Sequence, residues 1–96
     1  MQQDIYIVSA LRTAIGSFGG TLKDTPLADL AAAVVREAVA RSGAAPDTVG
    51  HVSRGTVIAT EPRDIYLSRI AALEAGLPQS VSAFNVNRLC GSGLQA

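Results

Sequence analysis

The feature that most constrains the fold of this sequence is an apolar helical face that lies between stretches of strand-like composition. From residue 27 onward, apolar side chains recur at positions i, i+3, i+4, i+7, i+8, i+11 and i+12, which is the periodicity of one helix face. The residues on this face are Leu27, Leu30, Ala31, Val34, Val35, Ala38 and Val39. Thr25 is expected to cap this helix, Pro26 suits its first position, and Gly43 predicts its end.

Three segments have the composition of strands. Residues 5–8 form an unbroken apolar run, residues 49–58 are rich in β-branched side chains, and the segment from Ser82 to Asn87 alternates apolar and polar residues. Between the last two, a second helix is predicted from the helical spacing of Tyr66, Ile70, Leu73 and Leu77. Because connections of helical length join parallel strands, the order predicts an α/β fold with a mostly parallel sheet.

The composition is that of a globular protein with one modest core. The 96 residues are 48% hydrophobic and 17% charged, and eight basic residues balance eight acidic ones. Without net charge, the chain lacks the electrostatic attraction that nucleic-acid or anionic-membrane binding needs. The start has no signal-peptide pattern, and no apolar run is long enough to span a membrane. We therefore expect a cytoplasmic protein with no nucleic-acid partner and no membrane partner.

The main candidate for chemistry is Cys90. It follows a predicted strand and precedes Gly91-Ser92-Gly93 at a predicted helix start, where free N–H groups and the helix dipole favour an anion. Such an environment makes a nucleophilic thiolate available at neutral pH. The alternative is that a lone cysteine is simply a small buried apolar residue. The adjacent glycines favour the nucleophile, because they let a substrate approach the sulfur closely.

Two other functions remain open on these residues alone. The segment from Gly91 to Ala96 fits the G-x-G-x-x-G/A fingerprint of dinucleotide-binding oxidoreductases, although it follows the third predicted strand and not the first. A non-catalytic βαβ module is the other alternative. No metal site is predicted, because Cys90 and the only histidine, His51, are too few ligands, and His51 is expected to be structural.

Two loops also contain residues that could bind a ligand. The glycine-bearing loop from Arg12 to Gly20 is either a phosphate-binding turn or a structural turn with Arg12 paired to a carboxylate. Residues 61–64, Glu-Pro-Arg-Asp, have mixed charge and are expected to lie at the solvated surface.

Taken together, these segments resemble the N-terminal part of the thiolases. The resemblance is carried by residues 12–20, by Glu37 and Ala38, and above all by Asn-Arg-Leu-Cys-Gly-Ser-Gly-Leu-Gln-Ala at residues 87–96, which is a highly specific pattern. The sequence is most similar to acetyl-CoA acetyltransferases and β-ketothiolases, and Thr-Glu-Pro-Arg-Asp at residues 60–64 points to the latter. The resemblance implies that residues 1–96 begin a βαβαβαββ N-terminal domain and leave it incomplete.

The resemblance also implies a function. Thiolases make or cleave 3-ketoacyl-CoA by Claisen chemistry through an acyl-enzyme, and Cys90 matches their nucleophile, whose own N–H is expected to help hold the thioester oxyanion. Coenzyme A thioesters are then the substrates, and no cofactor is implied. The family's catalytic histidine, second cysteine and asparagine have no counterpart here, so the 96-residue chain alone is expected to be inactive. A homodimer, within a tetramer, is implied through the strand from Ser82 to Asn87.

Overall fold

The computed structural model describes residues 2–96 and contains, within them, three α-helices and two β-strands. In chain order these are α1 (Leu27–Ser42), β1 (His51–Gly55), α2 (Leu67–Glu74), β2 (Ser82–Val86) and α3 (Ser92–Gln95). Short 3₁₀ turns at Pro46–Thr48, Pro62–Tyr66 and Leu89–Gly91 precede β1, α2 and α3. The predicted α/β class is therefore confirmed.

The two strands pair in parallel, as predicted. Their register runs from His51 opposite Ser82 to Gly55 opposite Val86. Just beyond β1, the Thr56 N–H donates to the Val86 carbonyl oxygen at 2.9 Å, which extends the pairing by one bond. Because α2 makes the crossover between the strands, the carboxyl ends of both strands lie at one edge of the sheet. Within the described residues, each strand has one unpaired edge.

Helix α1 ends where the sequence predicts and begins without the predicted cap. Gly43 follows it with φ of 74°, in the left-handed region that glycine enters at no steric cost. Pro26, not Thr25, occupies the N-cap position, and no side chain caps the helix there. The Thr25 prediction was wrong because the preceding turn shifts the helix start by one residue and leaves proline at the capping position.

The core lies between α1, α2 and the sheet. Small residues dominate the contact of the two helices, where Ala28, Ala31 and Ala71 are buried against Leu67. A second buried cluster joins α2 to the strands through Val52, Ala72, Leu77 and Val81. Alanine at the crossing brings the two helix backbones close together. None of the predicted apolar-face residues of α1 is exposed, so that prediction is confirmed.

The predicted face of the second helix was only partly right. Leu77 is buried and Ile70 packs against the core, but Tyr66 and Leu73 are exposed. The segment starts as a 3₁₀ turn and becomes α-helical only at Leu67, so a single 3.6-residue period does not describe its whole length.

Residues 5–8 do not form the predicted strand. Ile5 and Ile7 are 90% and 89% exposed, and no strand among residues 2–96 pairs with this segment. A strand exists only through hydrogen bonds to a neighbour, so an apolar composition by itself does not produce one. The second predicted strand is also shorter than expected, spanning His51–Gly55 instead of residues 49–58.

Strand β2 alternates as predicted, but its polar side faces the helices. Asn85 lies under α2, where its side-chain oxygen accepts hydrogen bonds from the Ser68 N–H at 3.0 Å and the Ser68 hydroxyl at 2.7 Å. Phe84, on the opposite face, is 50% exposed. Within residues 2–96, no helix has the combination of length and apolar content needed to cross a membrane.

Candidate functional site

Cys90 lies in the turn that joins β2 to α3. After Val86 the chain passes through Asn87 and Arg88, makes the 3₁₀ turn Leu89–Gly91, and continues directly into α3. The Cys90 thiol is free and exposed, so it is accessible to a reagent or a substrate. The element order confirms the strand-to-helix position, and the described residues do not bury the sulfur as they would a space-filling cysteine.

Two side chains hold this turn in shape. The Ser92 hydroxyl accepts a hydrogen bond from the Arg88 N–H at 2.8 Å and donates one to the Leu89 carbonyl at 2.7 Å. The Asn87 side-chain oxygen accepts from the Leu89 N–H at 3.0 Å. These bonds satisfy backbone groups on the N-terminal side of Cys90 that the short 3₁₀ turn leaves unpaired. The backbone on that side of the nucleophile is therefore fixed by side chains from both ends of the turn.

The backbone amide of Cys90 remains available. Among the hydrogen bonds of residues 2–96, the N–H groups of Leu89, Gly91 and Arg88 all have acceptors, whereas the Cys90 N–H has none. A free N–H at the first turn of a helix is a donor suited to an oxyanion. The thiol and a free hydrogen-bond donor thus belong to the same residue.

Leu89 has an unusual backbone conformation in this turn. Its φ of 49° makes it the sole non-glycine residue among residues 2–96 with a positive φ. A leucine in the left-handed region is uncommon, and such residues persist where the surrounding structure over-determines them. Here the bond that the Leu89 N–H donates to Asn87 and the bond that the Leu89 carbonyl accepts from Ser92 hold that conformation next to Cys90.

His51 lies far from Cys90, at the other end of the sheet. It begins β1, four residues before Gly55, and its ring packs against Phe84 with 4.8 Å between ring centroids. At about 3.3 Å per residue, the length of the strand separates it from the edge that leads to Cys90. This position favours the structural role predicted for His51.

The loop that contains Arg12 lacks the ion pair that was one of its two expected alternatives. The Arg12 guanidinium donates to the neighbouring Thr13 carbonyl at 2.9 Å and makes no salt bridge within residues 2–96. The loop borders an open groove of about 500 Å³ whose other walls include Leu27, Arg54 and Gly55. Because Cys90 is not among the lining residues, this groove is separate from the nucleophile.

Residues 61–64 are not wholly at the surface, because Asp64 is only 1% exposed. Its Oδ2 accepts hydrogen bonds from the Thr60 hydroxyl at 2.6 Å, the Thr60 N–H at 2.8 Å and the Glu61 N–H at 3.1 Å. The Thr60 hydroxyl bond is the main cause of a pKa of Asp64 below its ordinary value of 3.8, and it outweighs the opposing effect of burial. Arg63, by contrast, makes partly exposed ion pairs with Asp29 and Glu61, as expected of a surface residue.

The glycines at residues 91 and 93 do not behave as a dinucleotide fingerprint requires. That fingerprint needs glycines for a tight turn and for close packing of helix on strand. A Cβ built on Gly91 or Gly93 would meet no atom within 4 Å. The geometry therefore does not favour the oxidoreductase alternative.

Sequence reasoning missed the parts played by Ser92 and Asn87 in the turn. Both residues belong to the segment that was singled out, but a hydrogen bond between a side chain and a nearby backbone group has no periodic signature. Only the residue types could have indicated these roles, since serine and asparagine commonly make such local bonds at helix starts.

Comparison with known proteins agrees with this geometry. Residues 5–96 match the sequence family described as thiolase, N-terminal domain. Over all 96 residues, the chain is 57% identical to Beta-ketothiolase BktB of Cupriavidus necator and spans 24% of that protein's length. It is 45% identical to an acetyl-CoA acetyltransferase of the same organism, covering 97% of this chain and 23% of that protein.

Solved structures share the fold as well. The crystal structure of the Bacillus anthracis acetyl-CoA acetyltransferase superposes with a TM-score of 0.87 at 41% identity, over 94% of this chain and 23% of that chain. Human mitochondrial 3-ketoacyl-CoA thiolase in complex with CoA also gives a TM-score of 0.87, at 40% identity, over 92% of this chain and 22% of that one. The chain therefore belongs to the thiolase family and corresponds to the N-terminal quarter of these relatives.

Proposed function

We propose that these residues form the N-terminal part of a longer thiolase that transfers acyl groups between coenzyme A thioesters, with Cys90 as the nucleophile. The observation that carries the proposal is the exposed Cys90 thiol, with its own free N–H, in the strand-to-helix turn of a chain that matches the thiolase N-terminal domain. The residues that would activate Cys90 lie outside this segment.

The chemistry follows from the reactivity of a thiolate toward a thioester. The Cys90 sulfur attacks the thioester carbonyl, the bond to the coenzyme A sulfur breaks, and coenzyme A leaves as a thiol after gaining a proton. The free Cys90 N–H is placed to stabilise the oxyanion of the tetrahedral intermediate. The α-carbon of a second acetyl-CoA, after losing a proton to a base, then attacks the acyl group and releases Cys90.

Coenzyme A thioesters are the proposed substrates. Support comes from the human relative, whose structure was solved in complex with CoA, and from the names of relatives as acyl- and acetyltransferases. An exposed free cysteine fits a reducing compartment, which supports the cytoplasm as the proposed location.

The proposed assembly is a homodimer, within a tetramer, that pairs β2 with its symmetry mate. Within residues 2–96, β2 has a free edge on the side away from β1, and Phe84 is half exposed on one face of the strand. A free strand edge next to an exposed aromatic side chain is suited to pairing with another chain. The resemblance to thiolases supports the choice of a second copy as that chain.

Activity of the full-length protein tests the proposed function. We expect it to convert acetoacetyl-CoA and coenzyme A to acetyl-CoA, and Cys90→Ser to reduce that rate by at least about 1,000-fold. Gly50→Ala is a suitable control, because a Cβ there meets nothing within 4 Å. Full activity in the serine variant would refute the nucleophile, and binding of NAD in place of acyl transfer would favour the oxidoreductase alternative.

A further inference from the structure

Gly55 and Ser92 lie so close together that residue 55 has no room for a side chain. Gly55 is the last residue of β1, and the start of α3 lies across it. A Cβ built on Gly55 would lie 2.9 Å from the Ser92 carbonyl carbon, 3.0 Å from the Gly93 nitrogen and 3.0 Å from the Ser92 Cβ. Since two of these atoms are backbone, the contact is relieved only by moving α3 away from β1.

Ser92 connects this contact to the nucleophilic turn. Its side chain is buried, with the residue 5% exposed, and its hydroxyl bonds to both Arg88 and Leu89. Cys90 therefore lies in a loop of backbone that is closed by the Ser92 side chain. Any displacement of Ser92 is carried to the residues that directly precede Cys90.

The strained backbone conformation of Leu89 depends on the hydrogen bond from the Ser92 side chain. Its φ of 49° is held by two hydrogen bonds, since the Leu89 N–H donates to the Asn87 side chain and the Leu89 carbonyl accepts from the Ser92 hydroxyl. Without the Ser92 bond, one of these restraints is lost and the residue is free to relax toward negative φ. Such a change would rotate the peptide that carries the Cys90 N–H.

We propose that Gly55 and Ser92 are positioning residues for Cys90. Gly55 lets α3 pack directly on the carboxyl end of β1, and the Ser92 hydroxyl transmits that placement to the thiol and its free N–H. Neither residue needs to contact the substrate for this effect. The inference rests on the proposed function of Cys90 as the acylated nucleophile.

If Gly55 and Ser92 position Cys90, replacing either residue should slow acyl transfer and leave the chemical reactivity of the thiol unchanged. Because a misplacement of about 1 Å can cost a reaction about 100-fold, we expect Gly55→Ala and Ser92→Ala to slow acylation of Cys90 by about 10- to 100-fold. The acetyl-CoA concentration for half-maximal acylation should change by less than about threefold. Alkylation of Cys90 by iodoacetamide, which needs no oxyanion donor, should also stay within about threefold of the original rate.

The experiment uses the full-length protein in single-turnover acylation with acetyl-CoA, followed by intact-mass spectrometry after rapid quenching. Gly50→Ala is the matched control, because it makes the same substitution at the residue that precedes β1, where a Cβ meets nothing within 4 Å. It should acylate at the original rate. A thermal melt of each variant identifies any that fail to fold.

The inference is overturned if Ser92→Ala acylates at the original rate, or if iodoacetamide alkylation falls as far as acylation does. If Gly55→Ala does not fold, Ser92→Ala decides the question, because it removes one oxygen and adds no atom. If the unaltered protein itself forms no acyl-enzyme, the proposed function fails and this inference fails with it. Acylation by the unaltered protein, with both variants equally fast, refutes the positioning role alone.

Discussion

Asn85 of β2 caps helix α2 by accepting hydrogen bonds from both the backbone N–H and the hydroxyl of Ser68. Its amide nitrogen also donates to the Ile65 carbonyl at 2.8 Å. One side chain of β2 therefore bonds both to the 3₁₀ turn Pro62–Tyr66 and to the first turn of α2. Ser68 is only 1% exposed, and its hydrogen bonds therefore have no ready replacement by water. A polar residue on the covered face of β2 is thus a structural requirement of this fold.

Replacing this cap should destabilise the protein. We expect Asn85→Ala to lower the free energy of unfolding of the full-length protein by about 1–3 kcal/mol, since it leaves Ser68 without an acceptor. Ser68→Ala keeps the backbone bond from residue 68 to Asn85, loses only the hydroxyl bond and should cost less. Urea titrations followed by circular dichroism measure both. Equal losses in the two variants would show that the backbone bond to Asn85 is not the important one.

Asp64 should make stability depend on pH in the acid range. Its hydrogen bonds from Thr60 and Glu61 hold its pKa below the ordinary value of 3.8, so folding favours the ionised form. The stabilisation is complete above the unfolded-state pKa and is lost as the pH falls through the lower folded-state pKa. The difference in melting temperature between the unaltered protein and Asp64→Asn should therefore be largest near neutral pH and shrink in acid. Asp47→Asn, at an exposed turn, is the control and should show no such trend.

Phe84 provides a test of the proposed assembly. A substitution at residue 85 is unsuitable for such a test, because the Asn85 side chain supports α2. Phe84→Asp places a charge on the half-exposed face of β2 and should convert the oligomer to smaller species with lower activity. Size-exclusion chromatography with light scattering measures the mass, with Gln79→Asp as a charge-matched control at an exposed position. An active monomer of the unaltered protein would contradict the assembly.

The isolated segment should fold poorly. Ile5, Tyr6 and Ile7 are largely exposed, and the sheet of residues 2–96 has only two strands. A two-stranded sheet with open apolar surface is marginal in water. A peptide of residues 1–96 should give a broad, weakly cooperative thermal transition by circular dichroism. A sharp transition for the monomeric peptide would show that these residues form a complete domain.

Local patterns in the sequence predicted the elements that depend on local forces. The face of α1, its end at Gly43, the parallel strands and the position of Cys90 follow from periodicity, glycine conformation and crossover length. The close packing of Gly55 against Ser92 is typical of a glycine within a strand. These features are determined within a few residues of the chain or by one simple rule of topology.

Contacts between distant residues could not be predicted in the same way. Asp64 looked like a surface charge, and the polar side of the strand gave no sign that Asn85 bonds to α2, because their partners at residues 60 and 68 are known only once the chain is folded. Residues 5–8 show the opposite error, since their composition fits a strand but no neighbour among residues 2–96 pairs with them. Burial and pairing are properties of the tertiary structure, and they override local propensity.

The proposed function requires that Cys90 becomes acylated. Full-length protein mixed with acetyl-CoA, rapidly quenched in acid and digested, should yield an acetylated peptide that contains Cys90, and Cys90→Ser should yield none. Peptide-level mass spectrometry gives this result directly, because a thioester survives acid. Acetylation at another residue, or unchanged acetylation in the serine variant, would contradict the role of Cys90 as the nucleophile.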